Sequence, residues 1–185
     1  FSLYEFNNDS SVDIWLRRQQ RKKEKSLEAL EGPTFQAFQT VPVRNLLIEI
    51  LAFCFMPNHL HLIVRQLKDN GISRFMQKIG TGYAIYFNKK YSRKGHPFNR
   101  FKAIHIKTQD QLKNVFVYVH TNPIALIEPG WKDNGIEDSK KALNFLENDY
   151  RWSSFFDYLG KKNFPSITTR EFLLQTMGGE YACRD

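Results

Sequence analysis

The chain has 185 residues, and its 42% hydrophobic and 25% charged residues exclude a wholly disordered protein. Lys and Arg number 27 against 19 Asp and Glu, and this net charge of +8 favours a polyanionic partner. Only Cys54 and Cys183 are present, which excludes a disulfide framework. With no predicted membrane helix or signal peptide, we expect one domain over residues 1–185, in the cytoplasm and without a membrane partner.

The first local pattern is a dense basic run between residues 11 and 29, on a predicted helix that also carries Trp15 and Leu16. A solvated helix face is the simpler interpretation of such a run. Gly32-Pro33 ends it, because this dipeptide breaks helices.

Two adjacent strands are predicted next. Residues 46–55 and 60–64 are apolar runs of strand length, and Met56-Pro57-Asn58 between them fits a tight connection. A helix follows from about residue 72 to residue 87, where apolar residues recur at steps of three and four. Tyr83 and Tyr86 match this apolar stripe, so we predict that both are core residues.

The next predicted elements are a short strand and a helix. Residues 101–106 alternate in the manner of a strand. Asp110 is the predicted start of a helix that carries Tyr118 in its C-terminal half, and Pro123 closes or kinks it. This order of elements predicts an α+β fold, a small antiparallel sheet with helices on one face. Residues 130–185 are predicted to form a C-terminal helical extension.

The triplet His59-Leu60-His61 is the most informative candidate for chemistry. Positions two apart on a strand face the same side, so both imidazoles can reach one cation. Imidazoles within an apolar strand need partners, which a shared metal ion would supply. From the pattern alone, two half-buried histidines remain an equal alternative. The isolated histidines His96, His105 and His120 are predicted as surface or supporting groups rather than ligands.

The segment Met-Pro-Asn-His-Leu-His-Leu at residues 56–62 resembles the His-hydrophobic-His strand of single-tyrosine (Y1) transposases of the HUH type, especially the REP-associated branch. Most of Leu46 to Phe156 shares this resemblance, which implies a ferredoxin-like antiparallel sheet with helices on one face. Four further segments carry the similarity: residues 71–91 resemble the helix that follows, 100–102 a basic strand, 117–123 the helix bearing the nucleophile, and 150–154 a downstream signature.

The resemblance implies that Tyr118 attacks a DNA phosphodiester, forming a 5′-phosphotyrosine linkage and releasing a 3′-hydroxyl. It also implies that His59 and His61 hold Mg²⁺ or Mn²⁺, with Asn122 as a third ligand one helical turn after the tyrosine. Helix capping before Pro123 is the alternative role of Asn122. A phenol is a weak nucleophile at neutral pH, so a cation that polarises the phosphate is needed.

Single-stranded DNA that contains hairpins is the implied partner, inside a prokaryotic cell, with a homodimer as one option. Basic residues near the site in sequence are candidate phosphate contacts, although each is equally a candidate for a solvated charge. They are Arg74, Lys78, Lys89, Lys90, Arg93, Arg100 and Lys102.

Some features depart from the family pattern. The family usually opens with a strand before its first helix, and a first strand missing before residue 1 is one interpretation of this sequence. Residues 98–102 lack a glycine often found before the arginine, and Ala125 stands where an arginine often follows Asn-Pro. The alternative function is therefore an inactive or truncated relative that binds hairpin DNA without cutting it.

Other functions have less support from the sequence. Replication initiators and relaxases have a different histidine and tyrosine context. An RNA-binding ferredoxin-like domain would rest on fold analogy alone.

Overall fold

The computed structural model describes residues 2–11, 13, 16, 17, 19, 20, 22, 23, 26 and 44–183. Its strands are β1 (Ile48–Phe55) and β2 (Leu60–Gln66). The α-helices α1 to α7 are, in chain order, Ser2–Phe6, Gly71–Tyr91, Gln109–Thr121, Trp131–Asn134, Ser139–Asn144, Phe155–Tyr158 and Glu171–Met177. Turns of 3₁₀-helix cover Asn122–Leu126 and Tyr181–Cys183, and a π-helical turn covers Phe145–Asp149.

This mixture of helices with a two-stranded antiparallel sheet confirms the α+β class. The predicted basic helix of residues 11–29 lies largely outside the described residues, although those described between Leu16 and Ser26 are helical. None of the helices in the described part of the chain is long and apolar enough to cross a bilayer. The residues group into two compact units, Phe1–Ile48 with Gln66–Arg100 and Glu49–Arg65 with Phe101–Asp185, called here the first and second unit.

In the first unit, the turn after α1 is fastened by side chains. The Asn7 amide oxygen accepts hydrogen bonds from the backbone N–H groups of Leu47 and Ile48, and its nitrogen donates to the carbonyl of Ile48. Lys78 of α2 donates to the carbonyls of three consecutive residues after α1, from Asn8 to Ser10. These bonds satisfy backbone groups that strand and helix hydrogen bonding leaves open.

The helix α2 confirms the predicted helix, but two residues of its apolar stripe are not core. Phe75 is fully buried, whereas Tyr83 is 41% exposed and Tyr86 is 43% exposed. The prediction that these tyrosines are core was therefore wrong. The short helix α1 packs against α2 up to Gly82, where the Phe6 ring lies against the glycine. Periodicity identifies the apolar face of a helix but not how far along the helix a neighbour covers it.

In the second unit, β1 is enclosed along both edges. It pairs with β2 on one side, across a loop closed by a hydrogen bond from Met56 N–H to the carbonyl of His59, 2.8 Å long. On the other side Cys54 forms an antiparallel bridge with Ser153. Further along that side, the Tyr158 hydroxyl donates to the carbonyl of Leu51 at 2.6 Å. Both faces of β1 are also largely buried, which suits a strand made of one continuous apolar run.

Residues 101–106 do not form the strand that their alternation predicts. A strand needs a partner edge, and residues 152–154 already bond to β1 where β2 does not. The unpaired segment is largely exposed, with Ile104 at 83%. The start of α3 also differs from the prediction, because the Thr108 side chain caps it by accepting from Gln111 N–H, whereas Asp110 lies in the first turn.

The buried face of α3 fixes which of its residues point outward. Leu112, Phe116 and Val119 pack in one core with residues of β1, β2 and the C-terminal segment. Tyr118 lies outside this buried face and is 45% exposed. The helix thus presents a reactive side chain from a firmly packed support.

His120 lies on the buried side of α3, which rules out the surface position and leaves the supporting role that the sequence also offered. It is only 2% exposed. Its Nε2 lies 2.8 Å from the Ser154 hydroxyl and its Nδ1 lies 3.1 Å from the carbonyl of Phe116. Burial lowers the pKa of His120 to about 3, so the ring is neutral at physiological pH. His96 and His105 are both exposed.

Candidate active site

The two histidines of the motif converge at the end of the β-hairpin. His59 is the last residue of the connecting loop and His61 is the second residue of β2. Their Nε2 atoms lie 3.0 Å apart and their rings are nearly perpendicular, at 87°. The predicted alignment of both imidazoles toward one point is therefore present, although His59 precedes the strand.

A hydrogen bond orients the His59 ring, and partial burial affects the His61 ring. His59 Nδ1 lies 2.6 Å from the Asn58 amide oxygen, which can only accept, so Nδ1 carries a proton and the ring turns its Nε2 toward His61. Burial holds the pKa of His61 below its usual value, and the nearby charges of His59 and Lys132 act in the same direction. Neutral imidazole is the form that binds metal ions. Asn58 is thus a positioning residue that sequence reasoning did not single out.

Tyr118 lies beside the histidine pair. Its ring meets the His61 ring edge-on, with 5.4 Å between centroids. The phenol oxygen is 3.4 Å from the ammonium of Lys132, which also lies 4.6 Å from the centre of the tyrosine ring. The candidate nucleophile is therefore exposed to solvent and contacts both the His61 ring and the Lys132 ammonium.

Asn122 combines two interactions in one buried side chain. Its amide nitrogen donates to the carbonyl of Tyr118 at 2.5 Å, which is the helix-capping role weighed from the sequence. Its amide oxygen accepts from Lys132 at 2.9 Å. The cap fixes the direction of the oxygen, because the amide group is planar. The oxygen is thus directed toward a cationic group next to Tyr118.

Lys132 was missed entirely by the sequence analysis. It lies in α4, ten residues beyond Asn122, in a segment without any recognisable motif. The chain returns to the site after a 3₁₀ turn over Asn122–Leu126, which has Pro123 near its start and follows directly on α3. A lone lysine in a short helix gives no sequence signal, so only the structure reveals this cation.

The donor set fits a single divalent cation. Two ligands at right angles and about 2.1 Å from an octahedral ion would be about 3.0 Å apart, which matches the separation of the two Nε2 atoms. No cluster of three His, Cys, Asp or Glu side chains exists among the described residues. The Asn122 amide oxygen is a candidate third ligand, because it shares the Lys132 ammonium with the Tyr118 hydroxyl.

The candidate phosphate contacts fall into distinct settings. Arg74 forms an ion pair with Asp9, and the donors of Lys78 are directed at three backbone carbonyls. Both arrangements favour a structural role for these two residues. Lys89, Lys90, Arg93 and Arg100 are exposed in the first unit, and Lys102 is exposed in the second unit, which also contains the histidines and Tyr118.

Comparison with known protein families decides the identity of the chain. The family model described as "Transposase IS200 like" matches residues 14–122, more than half of the sequence. The chain belongs to the family of IS200-like transposases. This transposase has no match among curated proteins, and no solved structure matches it.

Membership makes DNA the partner of this IS200-like transposase and DNA cleavage and transfer its activity. The matched region contains His59, His61 and Tyr118 and ends at Asn122. Lys132 lies outside the match. The candidate site thus combines four residues of the matched region with Lys132 from the segment that follows it.

Proposed function

We propose that this transposase is a single-tyrosine enzyme of the HUH type, in the REP-associated branch, that cleaves and rejoins single-stranded DNA containing hairpins. We expect it to act in the cytoplasm of a prokaryotic cell. The observation that carries the proposal is the meeting of His59 and His61, 3.0 Å apart at Nε2, beside the exposed ring of Tyr118. A homodimer and a ferredoxin-like arrangement of the sheet remain predictions from the family resemblance.

Tyr118 is the group suited to nucleophilic attack, because it is exposed and held on a helix whose other face is packed. In the proposed step its phenol oxygen attacks the scissile phosphorus and loses its proton to solvent. A new bond joins the tyrosine oxygen to phosphorus, and the bond from phosphorus to the 3′-oxygen breaks. The 3′-oxygen takes a proton from water and leaves as a hydroxyl, while the 5′-phosphate stays on Tyr118.

Rejoining reverses these bonds with a different strand. A 3′-hydroxyl attacks the phosphotyrosine, forms a new phosphodiester and releases the Tyr118 oxygen, which regains a proton. Because one phosphodiester is made for each one broken, strand transfer needs no external source of energy. The exposed position of Tyr118 allows an incoming strand to approach it.

His59, His61 and the Asn122 amide oxygen are the groups that would hold a divalent cation. When bound, such a cation polarises the scissile phosphate and stabilises the charge that develops on its oxygens. Asn58 keeps the proton of His59 on Nδ1, so that Nε2 faces the shared point. The fit of the two Nε2 atoms to one ion supports this assignment.

Lys132 supplies a fixed positive charge at the phenol oxygen. Its ammonium lies 3.4 Å from that oxygen and 2.9 Å from the Asn122 amide oxygen. We assign it two tasks: it orients the phenol, and it stabilises the negative charge that develops on the tyrosine oxygen during attack and release. A charge that is already in place needs little reorganisation during the reaction.

One observation favours the non-cleaving alternative, a module that only binds hairpin DNA. The amide oxygen of Asn122, the third candidate ligand, already accepts a hydrogen bond from Lys132. If the lysine held this oxygen permanently, only the two histidines would be left for a cation. The experiment below distinguishes the two functions.

The test uses hairpin oligonucleotides with single-stranded flanks, each labelled separately at the 3′ and the 5′ end, with Mn²⁺ and analysed on denaturing gels. The proposal expects the 3′ label to move with the protein and the 5′ label to appear on a shorter free product. Chelator and Tyr118→Phe should abolish both bands, whereas Tyr91→Phe, which removes another exposed hydroxyl but keeps its ring, should retain them. Binding without any covalent band across the panel would support the non-cleaving module and refute the enzyme.

A further inference from the structure

An exposed group of aromatic rings covers the C-terminal half of α2 and the loop after it, within the first unit. Neighbouring ring centroids lie between 4.7 and 6.0 Å apart. Tyr83, Tyr86, Tyr91 and Phe98 are each between 41% and 53% exposed. A contiguous group of exposed apolar side chains often marks an interaction surface. The aromatic platform consists of Tyr83, Tyr86, Phe87, Tyr91 and Phe98.

Local hydrogen bonds build the platform and hold its loop in place. Ser92 ends α2 in the left-handed conformation, with φ of 51°. Asn88 then donates from its side chain to the carbonyl of Gly95 at 2.7 Å, and its own carbonyl accepts from Arg93 N–H at 2.9 Å. The loop therefore folds back along the helix, which brings the Phe98 ring to 4.9 Å from the Tyr83 ring.

Positive charges are interleaved with the rings. The Lys90 ammonium lies 5.8 Å from the centre of the Tyr86 ring and 5.1 Å from that of Tyr91, and the Arg93 guanidinium lies 5.8 Å from Phe87. Hydrogen bonds with the Tyr91 and Tyr86 hydroxyls raise the pKa of Lys90. From residue 70 to residue 100 the sequence has seven Lys and Arg and no Asp or Glu. The expected partner of this surface therefore carries both negative charges and planar apolar rings.

We propose that the aromatic platform binds unpaired nucleotides of single-stranded DNA, with bases stacked on its rings and phosphates held by Lys90 and Arg93. Bases within a duplex are already stacked on each other and offer no free face, whereas unpaired bases do. A second copy of this chain is a poorer occupant, because a two-fold interface would bring two equally basic surfaces together. From Tyr83 to Tyr91 the helix rises about 12 Å, which matches about three or four stacked nucleotides.

This inference rests on the DNA partner implied by the family and not on strand cleavage by Tyr118. It gives Tyr83 and Tyr86, which the sequence predicted to be core residues, a role in holding the substrate. A site that grips bases without hydrogen-bond readout has little sequence preference. The aromatic platform would therefore hold flanking single strand rather than identify the target.

The test is fluorescence anisotropy with the full chain carrying Tyr118→Phe, so that no strand is cut during the measurement. The probes are a labelled thymidine dodecamer, an abasic dodecamer with the same phosphates, and a duplex. The double variant Tyr83→Leu/Tyr86→Leu removes two rings but keeps apolar side chains. Tyr83→Phe/Tyr86→Phe retains both rings, and Ile85→Ala, at a neighbouring residue that is 65% exposed, is the matched control.

The proposal expects the double leucine variant to bind the thymidine dodecamer at least about 5-fold more weakly, the lower end for one base–aromatic stack. The phenylalanine and Ile85→Ala variants should change this affinity less than about 2-fold, and all variants should bind the abasic dodecamer and the duplex equally. Unchanged affinity of the leucine variant for the thymidine dodecamer would overturn the proposal. An equal loss for the abasic dodecamer would overturn it too, since that loss would reflect charge or folding.

Sedimentation of the same proteins tests the competing occupant. If the leucine substitutions convert a dimer into a monomer, the aromatic platform is a contact between copies and the nucleotide proposal fails. The proposed cleavage is judged separately, by the covalent product of the Tyr118-containing protein. A covalent product with no effect of the leucine variant refutes only the platform, and stacking-dependent binding without a covalent product refutes only the cleavage.

Discussion

The buried histidine of α3 should make the protein sensitive to acid in a way that one substitution removes. His120 accepts a hydrogen bond from the Ser154 hydroxyl at Nε2 and donates from Nδ1 to the carbonyl of Phe116. Ser154 in turn accepts from the N–H of Phe53 in β1 at 2.9 Å. This chain of bonds ties the helix that carries Tyr118 to the central strand, so its loss would loosen the support of the nucleophile.

The magnitude follows from the two pKa values. Burial among Phe116, Phe155 and Tyr158 holds the folded pKa of His120 at about 3, against about 6.5 in the unfolded chain. The contribution of His120 to the free energy of unfolding is therefore fully present above about pH 6.5. It falls as the pH drops toward 3, because in this range only the unfolded chain takes up the proton. At pH 5 this linkage amounts to about 2 kcal/mol.

The assay is urea denaturation of the parent and His120→Gln at pH 7.5 and pH 5, in chelator so that no divalent ion binds the other histidines. Glutamine stays neutral at both values and keeps a polar group near Ser154. The parent should lose about 2 kcal/mol more than the variant on acidification. An equal loss in both proteins would show that His120 does not remain neutral in the fold.

Three further predictions concern the site and its scaffold. Lys132→Met should slow single-turnover cleavage by about 10-fold to 100-fold, because it removes the charge at the phenol oxygen, and Lys132→Arg should recover part of the rate. Asn58→Ala should weaken Mn²⁺ binding by about 10-fold in calorimetric titration, since His59 loses its orienting partner. Gly71→Ala should lower the free energy of unfolding, measured in denaturant, by about 1–3 kcal/mol, because its Cβ would collide with the carbonyl of Leu47. Gly80→Ala should raise the free energy of unfolding by about 0.5–1 kcal/mol, because nothing lies close to its Cβ and alanine favours a helix over glycine.

Each of these has a result that would contradict it. Cleavage by Lys132→Met at the parent rate would remove the lysine from the chemistry. Unchanged Mn²⁺ affinity in Asn58→Ala would mean that the hydrogen bond to His59 does not orient the ring. Equal effects of alanine at Gly71 and Gly80 would show that the close approach of Gly71 to Leu47 is absent in solution.

Local patterns in the sequence predicted the parts of the site that local geometry controls. Strands of residues 46–55 and 60–64 correspond to β1 and β2, and the tight connection between them brings His59 next to His61. The helix with Tyr118 in its C-terminal half is also present. These features depend on side-chain period and turn composition, which a sequence displays directly.

Features that depend on distant neighbours could not be predicted. Residues 101–106 alternate like a strand, yet the edge of β1 is occupied by residues 152–154. Tyr83 and Tyr86 have helical spacing, but the spacing does not show how far along α2 other parts of the chain pack against it. Lys132 reaches Tyr118 only because of the turn after α3. Each outcome is set by tertiary contacts, which override local pattern.

The central claim is that Tyr118 becomes covalently attached to DNA, and peptide mapping tests it most directly. The protein is incubated with a hairpin oligonucleotide and Mn²⁺, then digested with nuclease and protease, and the modified peptide is sequenced by mass spectrometry. The expected result is one nucleotide 5′-phosphate on the peptide that contains Tyr118, absent when His59 and His61 are both replaced by alanine. A nucleotide on any other residue, or unchanged labelling without the two histidines, would contradict the assignment of the site.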